Sequence, residues 1–389
     1  MSTCCLLKNN MIWACVLSFG LFSMSLRATP LDWPEWMGET VKLAAKDDWT
    51  FEGTNGELQI SPRKSAPTVW VIVSRKAASY DTALLTMLNV YKQEFDSISF
   101  NVVKLPETVD ELKQVLDSAD QQAQLIYTVG SKATVAVHTL YQGGKLPVVS
   151  VNAKDPVLMG LIDDYRGSGD NFAFTSLNLP ANVTLSFLLK YMPELSQIGV
   201  LYARTNKSAY LTQFLPLQKE AERRGIRVLG FEVDESNEEQ MLERVMASEI
   251  SALKSQDGNL DTTLLWLTGS SSLLARVDEI NGLSQNLPLL TVVPEAVNGE
   301  EHSALMSVGV SFVNNAHQAA LYGIRILRDG ENAGGLPVGV ISPPDISISF
   351  RQAKRLEKAV PLVLLEMASD VYSENGSVVR SQGMSVERQ

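Results

Sequence analysis

The stretch YTVGSKATVAVHTLYQGGKLPVVSVNAKDPVLMGL, residues 127–161, holds the fold in miniature. Its first residues end a short apolar run, LIYTVG (125–130), which Gly130 and Ser131 interrupt. Residues 132–141 then space small and apolar side chains as a helix does, Gly143-Gly144 turn the chain, and PVVSV (147–151) begins a second apolar run. Two continuous apolar strands with a helix between them make a βαβ unit, whose strands are parallel and covered on both faces.

The same rhythm extends in both directions. Upstream, VWVIVS (69–74) precedes a helical pattern over Tyr80–Glu94, and FNVVKL (100–105) precedes one over Thr108–Gln122. Downstream it begins again. QIGVLYA (197–203) leads to Ser208–Arg224, RVLGFEV (227–233) to Asn237–Lys254, and TLLWLTG (263–269) to Ser272–Ser284. LPLLTVV (287–293) and ALMSVGV (304–310) follow. Two successive runs of βα units predict an α/β fold of two doubly wound parallel-sheet lobes. The first lobe is expected over residues 67–176 and completed by 311–338; the second over 177–310, completed by 339–370. The chain then crosses between lobes near Leu177, near Ser311 and near Pro337–Pro343, a three-strand hinge. Residues 29–66 lack clear periodicity, but Trp33, Trp36 and Trp49 predict that this extension docks. Residues 371–389 are polar and read as a disordered tail.

At the N-terminus, Lys8 precedes the apolar run MIWACVLSFGLFSM (11–24), and small residues follow up to Ala28. The run is shorter than the ~20 residues of a membrane-spanning helix and fits the core of a secretory signal peptide over residues 1–28. A retained membrane anchor and lipidation at Cys15 are the alternatives. All three cysteines (Cys4, Cys5, Cys15) lie in this segment, so the mature protein has no disulfide to rely on. With 45% hydrophobic residues it can build two cores of its own. Loss of Lys8 and Arg27 takes the formal charge from −11 to −13. So acidic a protein is a poor partner for nucleic acid or anionic lipid. An acidic, periplasmic monomer is expected.

In open α/β sheets, ligands sit beyond the carboxyl ends of the strands at the switch point, and two lobes facing each other there make a cleft. Gly130 ends a strand and Ser131 can cap the following helix, leaving backbone N–H groups for an anion. Asn152, and Asp155 ahead of Pro156, repeat that arrangement one strand on. Each is also explained as a plain helix cap.

The segment 127–161, with its Gly-Ser turn, its PVVSVN and its Asp-Pro, resembles the ABC transporter substrate-binding family of the periplasmic type I fold. The resemblance continues through NVTLSFLLKYMPELSQIGVLYARTNKSA (182–209) and QKEAERRGIRVLGFEV (218–233). It reaches YGIRILRDGENAGGLPVG (322–339) and ISISFRQAKRLEKAVP (346–361). Relatives in that family bind aromatic amino acids. The resemblance implies a small-molecule solute, an ABC permease as membrane partner and no cofactor or metal. It also implies ligand-binding positions. Those in lobe 1 are Ser74, Ser79, Tyr80, Asp81, Gly130, Ser131, Asn152 and Asp155. Those in lobe 2 are Asn206, Ser208, Trp266, Thr268, Ser270, Ser271 and Glu295. Tyr80 or Trp266 could stack on an apolar part of the ligand, although Trp266 also reads as core. The chain departs from the family at SFVNNAHQ (311–318), at Glu357-Lys358-Ala359, and at Arg75-Lys76, which could favour a more anionic solute or simply be solvated.

The sequence argues against an enzyme. His138, His302 and His317 are its histidines, His138 falls inside a helical pattern, and no metal-ligand spacing or nucleophile elbow occurs. A periplasmic ligand-sensing module acting on a membrane signalling protein remains a second reading, because both roles use the closed lobes.

Overall fold

A computed structural model describes residues 33–41, 49–54, 56–62, 67–234 and 236–386. The signal segment read at 1–28 lies outside the described residues.

Apolar runs with no polar face must be covered twice, and the chain does this in two separate sheets. In the first, β1 (Trp49–Gly53), β2 (Glu57–Pro62), β3 (Thr68–Val73), β4 (Ser99–Lys104), β5 (Leu125–Val129), β6 (Val148–Val151) and β7 (Phe172–Ala173) lie in the order β1-β2-β4-β3-β5-β6-β7. From β4 to β7 every pairing is parallel. The helices α1 (Ala78–Glu94), α2 (Val109–Gln122) and α3 (Ser131–Tyr141) connect them. Thr108 and Glu111 close a capping box at the start of α2. All residues of β5 are buried, as a central strand covered by helices on both faces requires.

The extension before residue 67 adds a hairpin to this sheet, since β2 pairs antiparallel with β4. Trp49 packs edge-on against Phe100 at 5.5 Å, and Trp33 against Phe51 at 5.6 Å. The Trp33 indole N–H donates to Gly38 O, and Gly38 N–H donates to Asp81 Oδ1.

A short ribbon of β8 (Thr175–Ser176) leads into the second lobe. There α4 (Ala181–Tyr191) precedes β9 (Gln197–Ala203), β10 (Arg227–Val233), β11 (Thr263–Leu267), β12 (Leu289–Thr291) and β13 (Met306–Gly309). The second sheet runs in the order β10-β9-β11-β12-β13 with all pairings parallel. The chain then leaves for lobe 1, where α5 (Phe312–Asp329) packs on α1. Gly323 lets the Tyr91 and Tyr127 hydroxyls approach the α5 backbone, and Tyr127 Oη donates to Ala319 O at 3.1 Å. The return strand β14 (Gly339–Val340) pairs in parallel with β8 before β15 (Asp345–Ser349) re-enters lobe 2. Three segments therefore join the lobes, around residues 176–180, 309–312 and 340–345.

Two features depart from the sequence expectation. β15 runs antiparallel to β13, pairing Asp345 with Gly309. The chain leaves lobe 2 at the cleft end of β13 and returns at that same end, so the returning strand must point the other way. Nor is the tail from residue 371 irregular. β16 (Asp370–Tyr372), β17 (Val378–Ser381) and β18 (Met384–Ser385) extend the second sheet. Asn375 and Gly376, the latter at φ 87°, supply the turn between the first two, a signal that the polar composition obscures.

Candidate ligand cleft

The parallel strands of both sheets end facing each other across a cleft of about 630 Å³, a volume suited to a small organic molecule. Of the positions expected from sequence, Ser79, Tyr80, Ser131 and Asn152 of lobe 1 and Asn206, Ser208 and Ser271 of lobe 2 line it.

The Gly130 turn explains the lobe 1 wall. Gly130 has φ +87°, and a Cβ there would overlap the Tyr80 hydroxyl, so glycine is needed on both counts. Ser131 is not the cap that the sequence suggests. The α3 N-terminus is capped from another strand: Ser74 Oγ accepts from Ala133 N–H at 2.9 Å and donates to Val129 O at 2.7 Å. Ser131 Oγ is thereby free to accept from Lys154 N–H at 2.9 Å, linking adjacent strand ends. Burial raises the pKa of the Tyr80 hydroxyl, partly offset by the Arg75 guanidinium and a hydrogen bond to Ser74. Asn152, at φ 49°, donates through Nδ2 to Ser79 O, while its backbone N–H donates to Asn315 Oδ1 at the foot of α5.

On the lobe 2 wall, Asn206 Oδ1 accepts from Ala209 N–H and from Ser208 Oγ, holding the turn that follows β9. The helix continues through a π-turn, Tyr210–Phe214, that carries Gln213 inward. Gln213 Oε1 accepts from Gly269 N–H at 2.8 Å, just beyond the end of β11.

Other expected positions serve the frame. Asp155 Oδ1 accepts from Val157 and Leu158 N–H and Oδ2 from Tyr165 Oη, so both oxygens are engaged away from the cleft, and residues 156–160 form turns rather than a helix. Asp81 faces the docked extension through Gly38, and burial raises its pKa against the effects of that hydrogen bond and Lys76. Trp266 is fully buried in the lobe 2 core and cannot stack on a ligand in the cleft. Thr268 and Ser270 are fully buried beneath the wall, with Thr268 Oγ1 donating to Leu201 O. Glu295 lies at the hinge, where Oε1 accepts from Phe312 N–H.

Sequence reasoning missed Lys132, Lys207 and Gln213, and above all Lys154. It sits between two positions that were singled out, yet lysine ordinarily belongs in solvent. Here its exposure is 7%, and burial holds its pKa down at about 7. The one available signal was its place at the strand end in VNAKDP. Hinge and cleft meet beside it: Asn178 Oδ1 accepts from Asp155 N–H, and Asn178 Nδ2 donates to Thr212 O on the other lobe.

Comparison with known proteins agrees with this architecture. The Tyrosine-binding protein of Clostridioides difficile (strain R20291) is 22% identical over 233 residues, 60% of this chain and 63% of that protein, so the match spans less than two thirds of the relative's length. An ABC domain from Streptococcus pneumoniae, solved in complex with L-Trp, has a TM-score of 0.61 at 20% identity, covering 79% of this chain and 100% of that one. A conserved domain protein from Vibrio cholerae has a TM-score of 0.62 at 18% identity, with 79% and 100% covered. The fold is thus that of the two-lobed, type I periplasmic binding proteins. The model of the family described as "ABC transporter substrate binding protein" matches residues 106–372, more than half of the sequence, and the chain belongs to that family.

Proposed function

We propose that this protein is an exported solute-binding protein of the periplasm. It captures a small, amino-acid-like organic molecule between its lobes and delivers it to an ABC permease in the inner membrane. The observation that carries the reading is the cleft itself, about 630 Å³ in volume, walled by strand ends of both lobes and spanned by three chain crossings. With three crossings the lobes move as rigid bodies about a hinge, and a ligand favours closure through contacts it makes better in the closed state. Ser131 and Asn152 line the cleft from one side and Asn206, Ser208 and Ser271 from the other, which supports contact of both lobes with one ligand. The test is a thermal-shift screen of the mature protein against amino acids, organic acids, nucleosides and sugars, followed by small-angle scattering with each hit. Saturation at a hundred times Kd stabilises by about 2.7 kcal/mol and is readily seen. A smaller radius of gyration with ligand supports the reading; a hit bound without compaction defeats the clamp.

A further inference from the structure

The cleft carries an unusual charge pattern. Arg75, Lys132, Lys154 and Lys207 line it, and among the described residues that line it there is no aspartate or glutamate. This is a cationic cavity in a chain whose formal charge is −11. Three of the four cations are exposed, whereas Lys154 is buried against the wall. Its ammonium has neither an ion pair nor a hydrogen-bond partner among the described residues. Leaving a buried ammonium unpaired costs several kcal/mol, so such a group either gives up its proton or is met by a counter-charge from outside the chain.

The Lys154 side chain crosses from lobe 1 to the lobe 2 wall. A Cβ built on Gly269 would overlap its Nζ, and Gln213 Nε2 lies 3.5 Å from that same point. Gln213 Nε2 is itself buried and without a hydrogen-bond partner. A charged donor from one lobe and a neutral donor from the other therefore converge beside a glycine that leaves them room. Ser131 and Lys132, in the first turn of α3, add the positive end of a helix to the same cleft. Val135, Leu177 and Phe312 supply apolar wall.

Resting on the solute-binding reading, we infer that the solute is an organic anion, an apolar skeleton bearing a carboxylate that Lys154 Nζ and Gln213 Nε2 hold beside Gly269. A zwitterion would also need acceptors for its ammonium group, and among the described residues the cleft wall offers no carboxylate, only neutral acceptors such as the unpartnered Asn152 Oδ1. Of the acids close to the wall, Asp155 has both oxygens engaged in the frame, Asp81 is turned to Gly38, and Glu295 accepts from Phe312 N–H at the hinge. Because the two donors belong to different lobes, the anion bridges them only when the cleft is closed, which couples binding to closure. Burial holds Lys154 at about 7 in the empty cleft, and an adjacent anion pulls it back up. Binding therefore takes up a proton at pH 8; the other charged groups on the cleft wall are Arg75, Lys132 and Lys207.

The test is calorimetric titration of the mature protein, freed of carried ligand by unfolding and refolding, with matched skeletons. Phenylpyruvate, L-phenylalanine and phenethylamine form one set; 4-methyl-2-oxopentanoate, L-leucine and isoamylamine form the other. The oxo acids should bind about tenfold or more tighter than the amino acids, and the amines not at all. Lys154→Met should weaken oxo-acid binding by about ten- to a hundredfold. Titration in buffers of different ionisation enthalpy at pH 8 should show uptake of most of one proton by wild type and none by the variant. Amino acids binding as tightly as oxo acids, oxo-acid affinity unchanged in Lys154→Met, or no oxo acid binding at millimolar concentration would each overturn the inference. The two readings fail differently. Amino acids that bind and compact the protein leave the clamp standing without the charge assignment, whereas oxo acids that bind without compaction do the reverse.

Discussion

Replacing Lys154 with methionine should make the ligand-free protein more stable at neutral pH, although it removes the central cation of the cleft. Lysine ordinarily titrates at 10.5, and burial with no compensating partner holds Lys154 at about 7. The unfolded chain then binds more protons than the fold between about pH 7 and 10.5, so this group makes stability rise with pH across that window, by at most about 1.4 kcal/mol per pH unit. At pH 7 the fold forgoes on the order of 4 kcal/mol that an uncharged side chain would retain. Methionine is unbranched and similar in length, so it occupies the same path without a charge. Allowing for water entering the cleft, the variant should gain roughly 2–4 kcal/mol at pH 7, or about 3–5 °C in Tm for a chain of this size. Thermal unfolding of both proteins, without ligand, at pH 6, 7, 8 and 9 gives the comparison. The gap should be widest at pH 6–7 and narrow steadily above it. A variant less stable than wild type at pH 7, or a gap independent of pH, would refute the claim that Lys154 is an uncompensated buried ammonium.

Three further outcomes follow from the frame around the cleft. Gly130→Ala places a Cβ at φ +87° against the Tyr80 hydroxyl, and should destabilise by about 2 kcal/mol in chemical denaturation while weakening every ligand, because Tyr80 must move. Ser74→Ala removes the oxygen that caps α3 through Ala133 and should lower stability by about 1–2 kcal/mol, again by denaturation; unchanged stability would mean that the α3 N-terminus needs no such cap. Asn178→Ala leaves Asp155 N–H and Thr212 O without this partner at the hinge, and should cost about 2–4 kcal/mol and increase the radius of gyration of the ligand-free protein in scattering. An unaltered scattering curve would remove Asn178 from the hinge.

The alternation of continuous apolar runs with helical patterns made the two-lobed α/β architecture legible before any coordinates. A fully buried strand such as Gln197–Ala203 can tolerate almost nothing but apolar and small residues. Gly130 was legible as the end of a strand, but its φ of +87° and the packing of Tyr80 against it were not. Composition misled at the tail, where a polar stretch hides a turn at Asn375-Gly376 between strands that join an existing sheet edge. It also gave no sign that β15 would run antiparallel, because strand direction depends on where the chain re-enters lobe 2.

The site divides along the same line. Local chemistry sufficed to mark Ser131, Asn152 and Asp155 as strand-end residues with capping chemistry, because capping acts over two or three positions in sequence. Which of them faces the cleft depended on partners far away in the chain. Ser74 caps α3 and so releases Ser131, while Val157, Leu158 and Tyr165 engage both oxygens of Asp155. Lys154 is the clearest case. In sequence it is an ordinary lysine between Ala153 and Asp155, and only the folded lobes set its ammonium against Gly269, more than a hundred residues on. By itself the sequence determined the repeating unit, the number of lobes and the strand-end positions, because hydrophobic periodicity and turn chemistry are local. The tertiary structure alone decided which polar groups are buried without a partner and therefore what charge the cleft can hold, because desolvation depends on everything packed around a group and not on its neighbours in the chain.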